Sequence, residues 1–371
     1  MIRAHIASAK RIVIKIGSSS LTGSAGSSLD PRAVDQLVDV VIAARARGAE
    51  VVVVSSGAIA AGLAPLGIKA RPKDLATQQA AASVGQGILM HRYTESFSRG
   101  NITASQVLLT TQDIISRSHY QNAQRTLQKL ISLGVVPIIN ENDSVGTQEI
   151  RFGDNDRLAA LVSLLIGADL LHLISDIDAL YDDVPTKAGA KRVSQVQSVS
   201  DIDERSLGGA GSAGVGSGGM LTKVEAARIT TSAGIPMILS SLEQSGSALA
   251  GADVGTYFVA KESKTNSRML WLAHASTPHG RLILDDGAVT ALTQRGVSLL
   301  PAGVTAVEGE FSAGDAVELA SADGRVIARG LVAFDSSEIP QMLGRSTKEL
   351  AQSLGAEYER ELVHRDDLVL L

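Results

Sequence analysis

The 371-residue sequence contains no cysteine, which excludes disulfides, thiolate metal sites and a cysteine nucleophile. Aromatic residues make up only 3% of the chain, so its apolar core has to be built from Ala, Val, Leu and Ile. Such a composition suits a parallel sheet that is covered by helices on both faces. Since 44% of the residues are hydrophobic and 20% are charged, a packed globular core is expected.

Long hydrophobic runs are also missing. No stretch approaches 18 uninterrupted apolar residues, and the N-terminus, MIRAHIASAKRIVIKIG, lacks the apolar segment of a signal peptide. We therefore expect a cytoplasmic protein without a membrane span. The seven histidines are scattered, so we expect no transition metal held by the protein. The dipeptide Gly-Lys never occurs, which disfavours a P-loop NTPase.

Over about the first 260 residues, short β-branched runs alternate with helical segments. RIVIKIG, AEVVVVSSG, ITASQVLLT, VVPIIN and LLHLIS read as strands. The segment between the first two has Asp30 as a predicted N-cap, Pro31 at the first helical position and Gly48 at its end. This alternation predicts an α/β fold with a doubly wound, mostly parallel sheet between helices.

The pattern changes near residue 260. Short strands and turns follow, and the turn at Asp323 and Gly324 between two alternating runs predicts a β-hairpin. We expect an α/β domain over 1–260, a linker over 261–277 and a small β-rich domain over 278–362.

Charge is distributed unevenly between these parts. The chain has a net charge of -5, but the residues from Pro278 onward include 8 basic and 15 acidic ones, a net charge of -7. The remainder carries 26 basic and 24 acidic residues and is slightly positive. The α/β part is therefore the one expected to bind an anionic ligand. The acidic tail argues against nucleic-acid binding, which depends largely on Lys and Arg.

Polar clusters follow several predicted strands: GSSS, SSGA, NEND and SDID. Ligands of open α/β sheets bind beyond the carboxyl ends of the strands, where these clusters would meet. Lys15 lies inside the first apolar run. It fits either an edge strand with its ammonium in solvent, or a lysine directed at an anion, because burying an unpaired ammonium is costly.

A glycine-rich segment, GGAGSAGVGSGGMLTK, leads into a helix that has Lys223 in its first turns. Composition alone fits a flexible linker. The alternative is an anion site, since glycines let backbone N–H groups approach phosphate and a helix N-terminus favours negative charge. The G-x-G-x-x-G match at Gly214, Gly216 and Gly219 is weak evidence for a dinucleotide fold, because no apolar strand precedes it.

FGDNDRLAALV places Asp154, Asn155 and Asp156 at the start of another predicted helix. One interpretation is that Asp154 is simply the N-cap of this helix. That function does not explain Asp156, nor the cluster that includes Asn140 and Asp143. These side chains could hold an ammonium group, orient a lysine or face a magnesium-bound nucleotide.

Five motifs, IVIKIGSSSLTG, VVVVSSGAIAAG, VVPIINENDSV, FGDNDRLAALV and GSGGMLTKVEAA, resemble in this order those of the glutamate 5-kinases, which have the amino-acid-kinase fold. The segment after Gly280 resembles the PUA domain of many bacterial members. The resemblance implies transfer of the ATP γ-phosphoryl group to the side-chain carboxylate of L-glutamate, the first step of proline biosynthesis.

The same resemblance assigns roles to residues. It implies that Lys15 and Lys223 screen the transferring phosphoryl group and that Asp156 organises both lysines. The implied glutamate-binding positions are Ser56, Asn140, Asp143 and Asn155, with Asp154 as a further candidate. The implied nucleotide-binding positions are Lys15, Ser175, Asp176, Ser217, Gly218, Gly219, Met220, Leu221, Thr222 and Lys223. Ser175 departs from the family, in which threonine is expected, but keeps the hydroxyl.

Further expectations follow from the resemblance. ATP would carry Mg²⁺ on its phosphates with few direct protein ligands. L-proline would act as a feedback inhibitor, and the chain would form dimers or tetramers.

Two alternative functions remain open at this point. One is a sister kinase that acts on aspartate, N-acetylglutamate, carbamate or a nucleoside monophosphate. The other is an RNA-binding protein, because PUA domains often bind RNA.

Overall fold

The computed structural model describes residues 3, 5–22, 28–70, 72–110, 113–114, 117–145, 155–183, 187, 189–202, 219–261 and 278–371. The chain forms two compact units, Met1–Lys264 and Thr265–Leu371. No helix in the described ranges is long and apolar enough to cross a membrane.

Strands and helices alternate through the first unit. Its strands are β1 (Arg11–Ile16), β2 (Glu50–Ser55), β3 (Ala104–Leu109), β4 (Val136–Glu141), β5 (Leu170–Ser175), β6 (Gln195–Val196), β7 (Met237–Ser241) and β8 (Thr256–Phe258). Its helices are α1 (Ser18–Leu21), α2 (Pro31–Ala46), α3 (Ala58–Leu63), α4 (Leu75–Ser98), α5 (Arg117–Ser132), α6 (Asn155–Ile166), α7 (Met220–Ser232) and α8 (Ser245–Leu249).

The strands form one sheet in the order β3-β4-β2-β1-β5-β7-β8-β6. All neighbours are parallel except β7 and β8, which confirms the predicted mostly parallel α/β sheet. Since β1 pairs with β2 on one side and β5 on the other, the edge-strand interpretation of Lys15 is wrong.

Alternation along β1 assigns its side chains to two layers. Ile12, Ile14 and Ile16 belong to a buried cluster that includes residues of α2 and α4. Val13 and Lys15 therefore project to the opposite face, because successive side chains of a strand alternate. There α6 contacts β1, β2, β4 and β5, and it packs against α7. Both faces of the central strand are thus covered.

Two predicted details of α2 are confirmed. The Asp30 side chain accepts a hydrogen bond from the backbone N–H of Arg32, and the helix begins at Pro31. Gly48 follows the helix end with a φ of +85°, a left-handed conformation that glycine adopts without steric cost.

Helices α3 and α4 approach each other closely through glycines. A Cβ atom on Gly85 would lie 1.8 Å from the carbonyl oxygen of Ala58, and one on Gly62 would lie 1.9 Å from that of Ala81. Any larger residue would push the helices apart. Gly85 therefore fixes how near α4 lies to the segment that follows β2.

The second unit is β-rich. Its strands are β9 (Gly280–Leu284), β10 (Val304–Gly309), β11 (Ala316–Ser321), β12 (Val326–Val332) and β13 (Val363–Leu370), in the sheet order β10-β9-β11-β12-β13. Helices α9 (Asp286–Thr290) and α10 (Thr347–Leu354) accompany them. The predicted hairpin is confirmed, since β11 and β12 are antiparallel around Gly324, whose φ is +85°. The expected end at residue 362 omits β13, which pairs with β12.

Candidate active site

Three charged side chains meet in the interior of the first unit. Asp156 Oδ1 lies 2.5 Å from Lys15 Nζ, and Asp156 Oδ2 lies 3.2 Å from Lys223 Nζ. Lys15 comes from the central strand, Asp156 from the first turn of α6 and Lys223 from the first turn of α7. One carboxylate therefore connects two lysines that are distant in sequence.

Burial makes this arrangement energetically demanding. Lys15 is 4% exposed, Lys223 is 6% exposed and Asp156 is fully buried. Burial raises the pKa of the Asp156 carboxyl, but the charges of Lys15 and Lys223 and their hydrogen bonds outweigh this effect and hold that pKa well below its usual range. Asp156 is therefore ionised at neutral pH, and the group carries two positive charges and one negative charge.

The start of α7 adds a third contact to Asp156. Thr222 Oγ1 lies 3.1 Å from Asp156 Oδ2 and 2.8 Å from the carbonyl oxygen of Gly219, the N-cap residue. Met220 and Leu221 complete the first turn, and Leu221 is exposed. The N-terminus of α7 with Lys223 thus has the features expected of an anion site.

Ser56, Asn140 and Asn155 form a second polar group. Asn155 Nδ2 lies 2.7 Å from Ser56 Oγ, 3.1 Å from Asn140 Oδ1 and 3.3 Å from the carbonyl oxygen of Ser55, so its two N–H groups are shared among three acceptors. Asn140 lies near the end of β4 and Ser56 directly after β2. Three predicted substrate-binding residues therefore meet at the carboxyl ends of neighbouring strands. Asn155 also adjoins Asp156 in sequence, which joins this group to the lysines.

Asp143, Ser175 and Asp176, which were also predicted, lie at the same ends of the strands. Asp143 occupies the turn after β4 and is partly exposed. Ser175 ends β5, the strand beside β1, and its hydroxyl donates a hydrogen bond to Asp176 Oδ1 at 2.9 Å. Asp154, Ser217 and Gly218 lie outside the described residues, as does most of the glycine-rich segment.

Two buried residues of α4 contact this region and were missed in the sequence. Gln86 Oε1 accepts a hydrogen bond from Asn140 Nδ2 at 3.0 Å. The Tyr93 hydroxyl lies 2.8 Å from Ser55 Oγ, and burial raises the pKa of Tyr93. A polar residue on the buried face of a helix, at the spacing of Leu89 and Tyr93, is the signal that could have identified Gln86.

Within the described ranges, no group of three or more His, Asp or Glu residues is arranged to hold a metal ion. The one deeply buried carboxylate in the centre, Asp156, is already engaged by two lysines. The donor set therefore fits a site that receives Mg²⁺ together with nucleotide phosphates better than a metal cage of its own.

Comparison with known families and proteins gives matches over most or all of the chain. The amino acid kinase family matches residues 10–241, and the PUA domain matches residues 280–354. The glutamate 5-kinase of Streptomyces avermitilis is 61% identical over 370 residues, which cover 100% of this chain and 98% of that protein. The glutamate 5-kinase of Bifidobacterium longum is 50% identical over 371 residues, with coverages of 100% and 98%.

A solved structure shares the fold. Carbamate kinase from Giardia lamblia, bound to AMP-PNP, aligns with a TM-score of 0.51 at 18% identity, covering 69% of this chain and 100% of that one. At this identity the likeness shows the architecture of the α/β unit and nothing about its substrate.

Proposed function

The chain belongs to the amino acid kinase family, and within it to the glutamate 5-kinases, and we propose that Lys15, Lys223 and Asp156 form its phosphoryl-transfer centre. The enzyme transfers the γ-phosphoryl group of ATP to the side-chain carboxylate of L-glutamate, the first step of proline biosynthesis. The observation that carries the proposed centre is the buried contact of one carboxylate with two lysines.

The main obstacle to this reaction is electrostatic. The acceptor carboxylate has a pKa of about 4.3 in model peptides, so it is already ionised at neutral pH and needs no general base. It must, however, approach a phosphoryl group that is itself negatively charged. Lys15 and Lys223 reach the centre from different elements, and their ammonium groups offset the negative charge as the phosphoryl group is transferred.

Asp156 holds both ammonium groups in place. Its two oxygens contact one lysine each, so a single carboxylate fixes the positions of both ammonium groups. Because its pKa is held well below the usual range, Asp156 is a carboxylate at neutral pH and is poorly suited to act as a general acid. We assign it a positioning function within the centre.

L-Glutamate binds at the second polar group. Ser56, Asn140 and Asn155 are held together by side-chain hydrogen bonds at the strand ends. Asp143, in the adjacent turn, supplies a carboxylate for the α-ammonium of the substrate. Support for this assignment comes from the clustering of three of the four residues and from the family motifs.

ATP binds on the side of α7 and β5. Its proposed contacts are Lys15, Ser175, Asp176, Ser217, Gly218, Gly219, Met220, Leu221, Thr222 and Lys223. Mg²⁺ would come with ATP and would supply neutralisation of phosphate charge, and the lysines and the N-terminus of α7 bind the phosphates from the protein side.

Several finer features complete the proposal. The catalytic domain comprises 1–260, followed by a linker over 261–277 and the small domain from 278 onward.

The enzyme acts in the cytoplasm, L-proline inhibits it, and the chain assembles into a dimer or tetramer. Val84 and Ile88, both 38% exposed and one turn apart on α4, support self-association. Light scattering of the full chain tests the assembly, and glutamate titrations with proline present test the inhibition.

The substrate is tested by measuring ADP formation with the purified full chain and MgATP. L-Glutamate, L-aspartate, N-acetyl-L-glutamate, carbamate and UMP are compared side by side at equal concentrations. The proposal expects kcat/KM for L-glutamate to exceed that of every other acceptor. A higher value for any of the others would assign the chain to a different acceptor.

A further inference from the structure

A chain of three side-chain amides connects α4 to the proposed glutamate site. Asn140 Nδ2 donates to Gln86 Oε1 at 3.0 Å, and Asn155 Nδ2 donates to Asn140 Oδ1 at 3.1 Å. The three residues come from α4, β4 and α6, so they link both helical layers with the sheet between them. Neither sequence motifs nor the proposed function assigns Gln86 a function.

A backbone group fixes the direction of this amide chain. The N–H of Glu141 donates to Asn140 Oδ1 at 2.9 Å, which identifies that atom as the oxygen. Asn140 must then direct its NH₂ group at Gln86, and Gln86 must accept this hydrogen bond through its side-chain oxygen. By the same logic, Asn155 must direct its NH₂ group at Asn140. Each amide orientation therefore depends on its neighbours.

The two ends of the amide chain are left with buried atoms that have no hydrogen-bond partner among the described residues. These atoms are Gln86 Nε2 at one end and Asn155 Oδ1 at the other. A buried polar atom without a partner is costly, so its retention points to a ligand or ordered water that completes it. Asn155 Oδ1 is an acceptor, and an ammonium group is the complementary donor.

We propose that Gln86 is a positioning residue for the acceptor substrate. Its Oε1 orients Asn140, which in turn holds Asn155 so that Asn155 Oδ1 can accept a hydrogen bond from the α-ammonium of L-glutamate. This inference rests on the proposed function, since it concerns the same site. It extends that function to α4, which carries none of the recognised motifs.

The test compares five variants of the full chain by steady-state kinetics and melting temperature. Gln86→Leu removes the acceptor for Asn140, whereas Gln86→Glu keeps an oxygen in that position. Asn140→Ala and the double variant measure whether Gln86 acts through Asn140. Ser96→Ala is the matched control, because it removes partly buried hydrogen bonds of the same helix away from the site, with Asp35 at 2.6 Å and Arg99 at 3.1 Å.

Loss of one neutral hydrogen bond predicts that Gln86→Leu raises the KM for glutamate about five- to tenfold. The KM for ATP and kcat should stay within about twofold, and Gln86→Glu should restore most of the glutamate affinity. In the Asn140→Ala background, Gln86→Leu should cause no further rise. Ser96→Ala should lower the melting temperature without changing the KM for glutamate.

Any of three results would overturn the inference: an unchanged KM for glutamate in Gln86→Leu, equal rises in both KM values, or additive effects in the double variant. Failure of Gln86→Glu to recover affinity would also overturn it. Failure of the proposed function is distinguishable, because the unmodified enzyme would then show no glutamate-dependent ADP formation.

Discussion

Lys15 Nζ lies 2.5 Å from Asp156 Oδ1, and the two side chains are only 5% and 1% exposed. This contact joins the central strand to α6 in the interior of the α/β unit. Removing one partner of a buried ion pair typically costs about 3–5 kcal/mol, because the other charge is left uncompensated. Substitutions here are therefore expected to affect folding as well as the proposed catalysis, and experiments need a stability measurement beside each kinetic one.

Lys223 should matter most when the phosphoryl group is being transferred. We expect Lys223→Ala to lower kcat by roughly 10²-fold or more with a much smaller change in the KM for glutamate, since its charge stabilises the transition state. Glu225→Ala is the control, because Glu225 lies two residues further along α7 and its side chain is 47% exposed. Near-normal kcat in a folded Lys223→Ala variant would remove Lys223 from the centre.

Asp156 gives a prediction for stability against pH. Its pKa is held well below the usual range in the folded protein, whereas the unfolded value is about 3.9. The stability that the ionised carboxylate provides is therefore complete above the unfolded pKa and is lost as the pH falls through the folded pKa.

Urea unfolding of the unmodified chain and of Asp156→Asn should then differ by a constant free energy from about pH 8 to pH 5. This difference should shrink below about pH 4. A difference that already changes between pH 8 and pH 5 would contradict this account of Asp156.

We expect His172, which lies outside the proposed active site, to make stability depend on pH in a separate way. It is fully buried in β5, its Nε2 lies 2.8 Å from Ser240 Oγ, and burial lowers its pKa to about 3. The unfolded state takes up a proton below about pH 6.5 while the folded state does not, so stability falls between these two pKa values by at most about 1.4 kcal/mol per pH unit.

His172→Gln keeps a polar group for Ser240 but cannot titrate. Its unfolding free energy, measured by urea denaturation at pH 6.5, 5.5 and 4.5, should fall less steeply than that of the unmodified chain. Parallel curves for the two proteins would show that His172 binds protons equally in the folded and unfolded states.

Asp143 is proposed to bind the α-ammonium of the substrate. Loss of a charged hydrogen-bond partner should cost about 1.5–3 kcal/mol, so Asp143→Ala should raise the KM for glutamate roughly tenfold to a hundredfold. The KM for ATP should change little, because ATP has no ammonium group. Ser144→Ala, an exposed neighbour in the same turn, is the control. If both KM values rise equally, or if only the melting temperature falls, Asp143 only stabilises the turn and does not bind the substrate ammonium.

The sequence predicted the alternation of strands and helices because buried strands carry continuous β-branched runs that are bounded by glycine and polar residues. It left the position of Lys15 open, because strand order in a sheet depends on crossovers that local patterns do not encode. Two short helices, α1 and α3, were not predicted from the sequence. The last strand, β13, was missed since its charged centre at His364 to Asp367 hides the alternation.

The same distinction between local sequence pattern and tertiary arrangement applies to the candidate site. The sequence placed Asn140 and Lys15 at strand ends, and topology brings strand ends together whatever their distance in sequence. Gln86 and Tyr93 were not singled out, because the contacts of a polar group in the middle of a helix depend on the tertiary structure.

The central claim is that this chain phosphorylates the side-chain carboxylate of L-glutamate. The most direct test is to trap the acyl phosphate with hydroxylamine, with the full chain, MgATP and L-glutamate, while ADP is measured in the same sample. The account predicts γ-glutamyl hydroxamate in an amount equal to the ADP released, and none when ATP is omitted. ADP release without hydroxamate, or an equal yield of hydroxamate from L-aspartate, would contradict it.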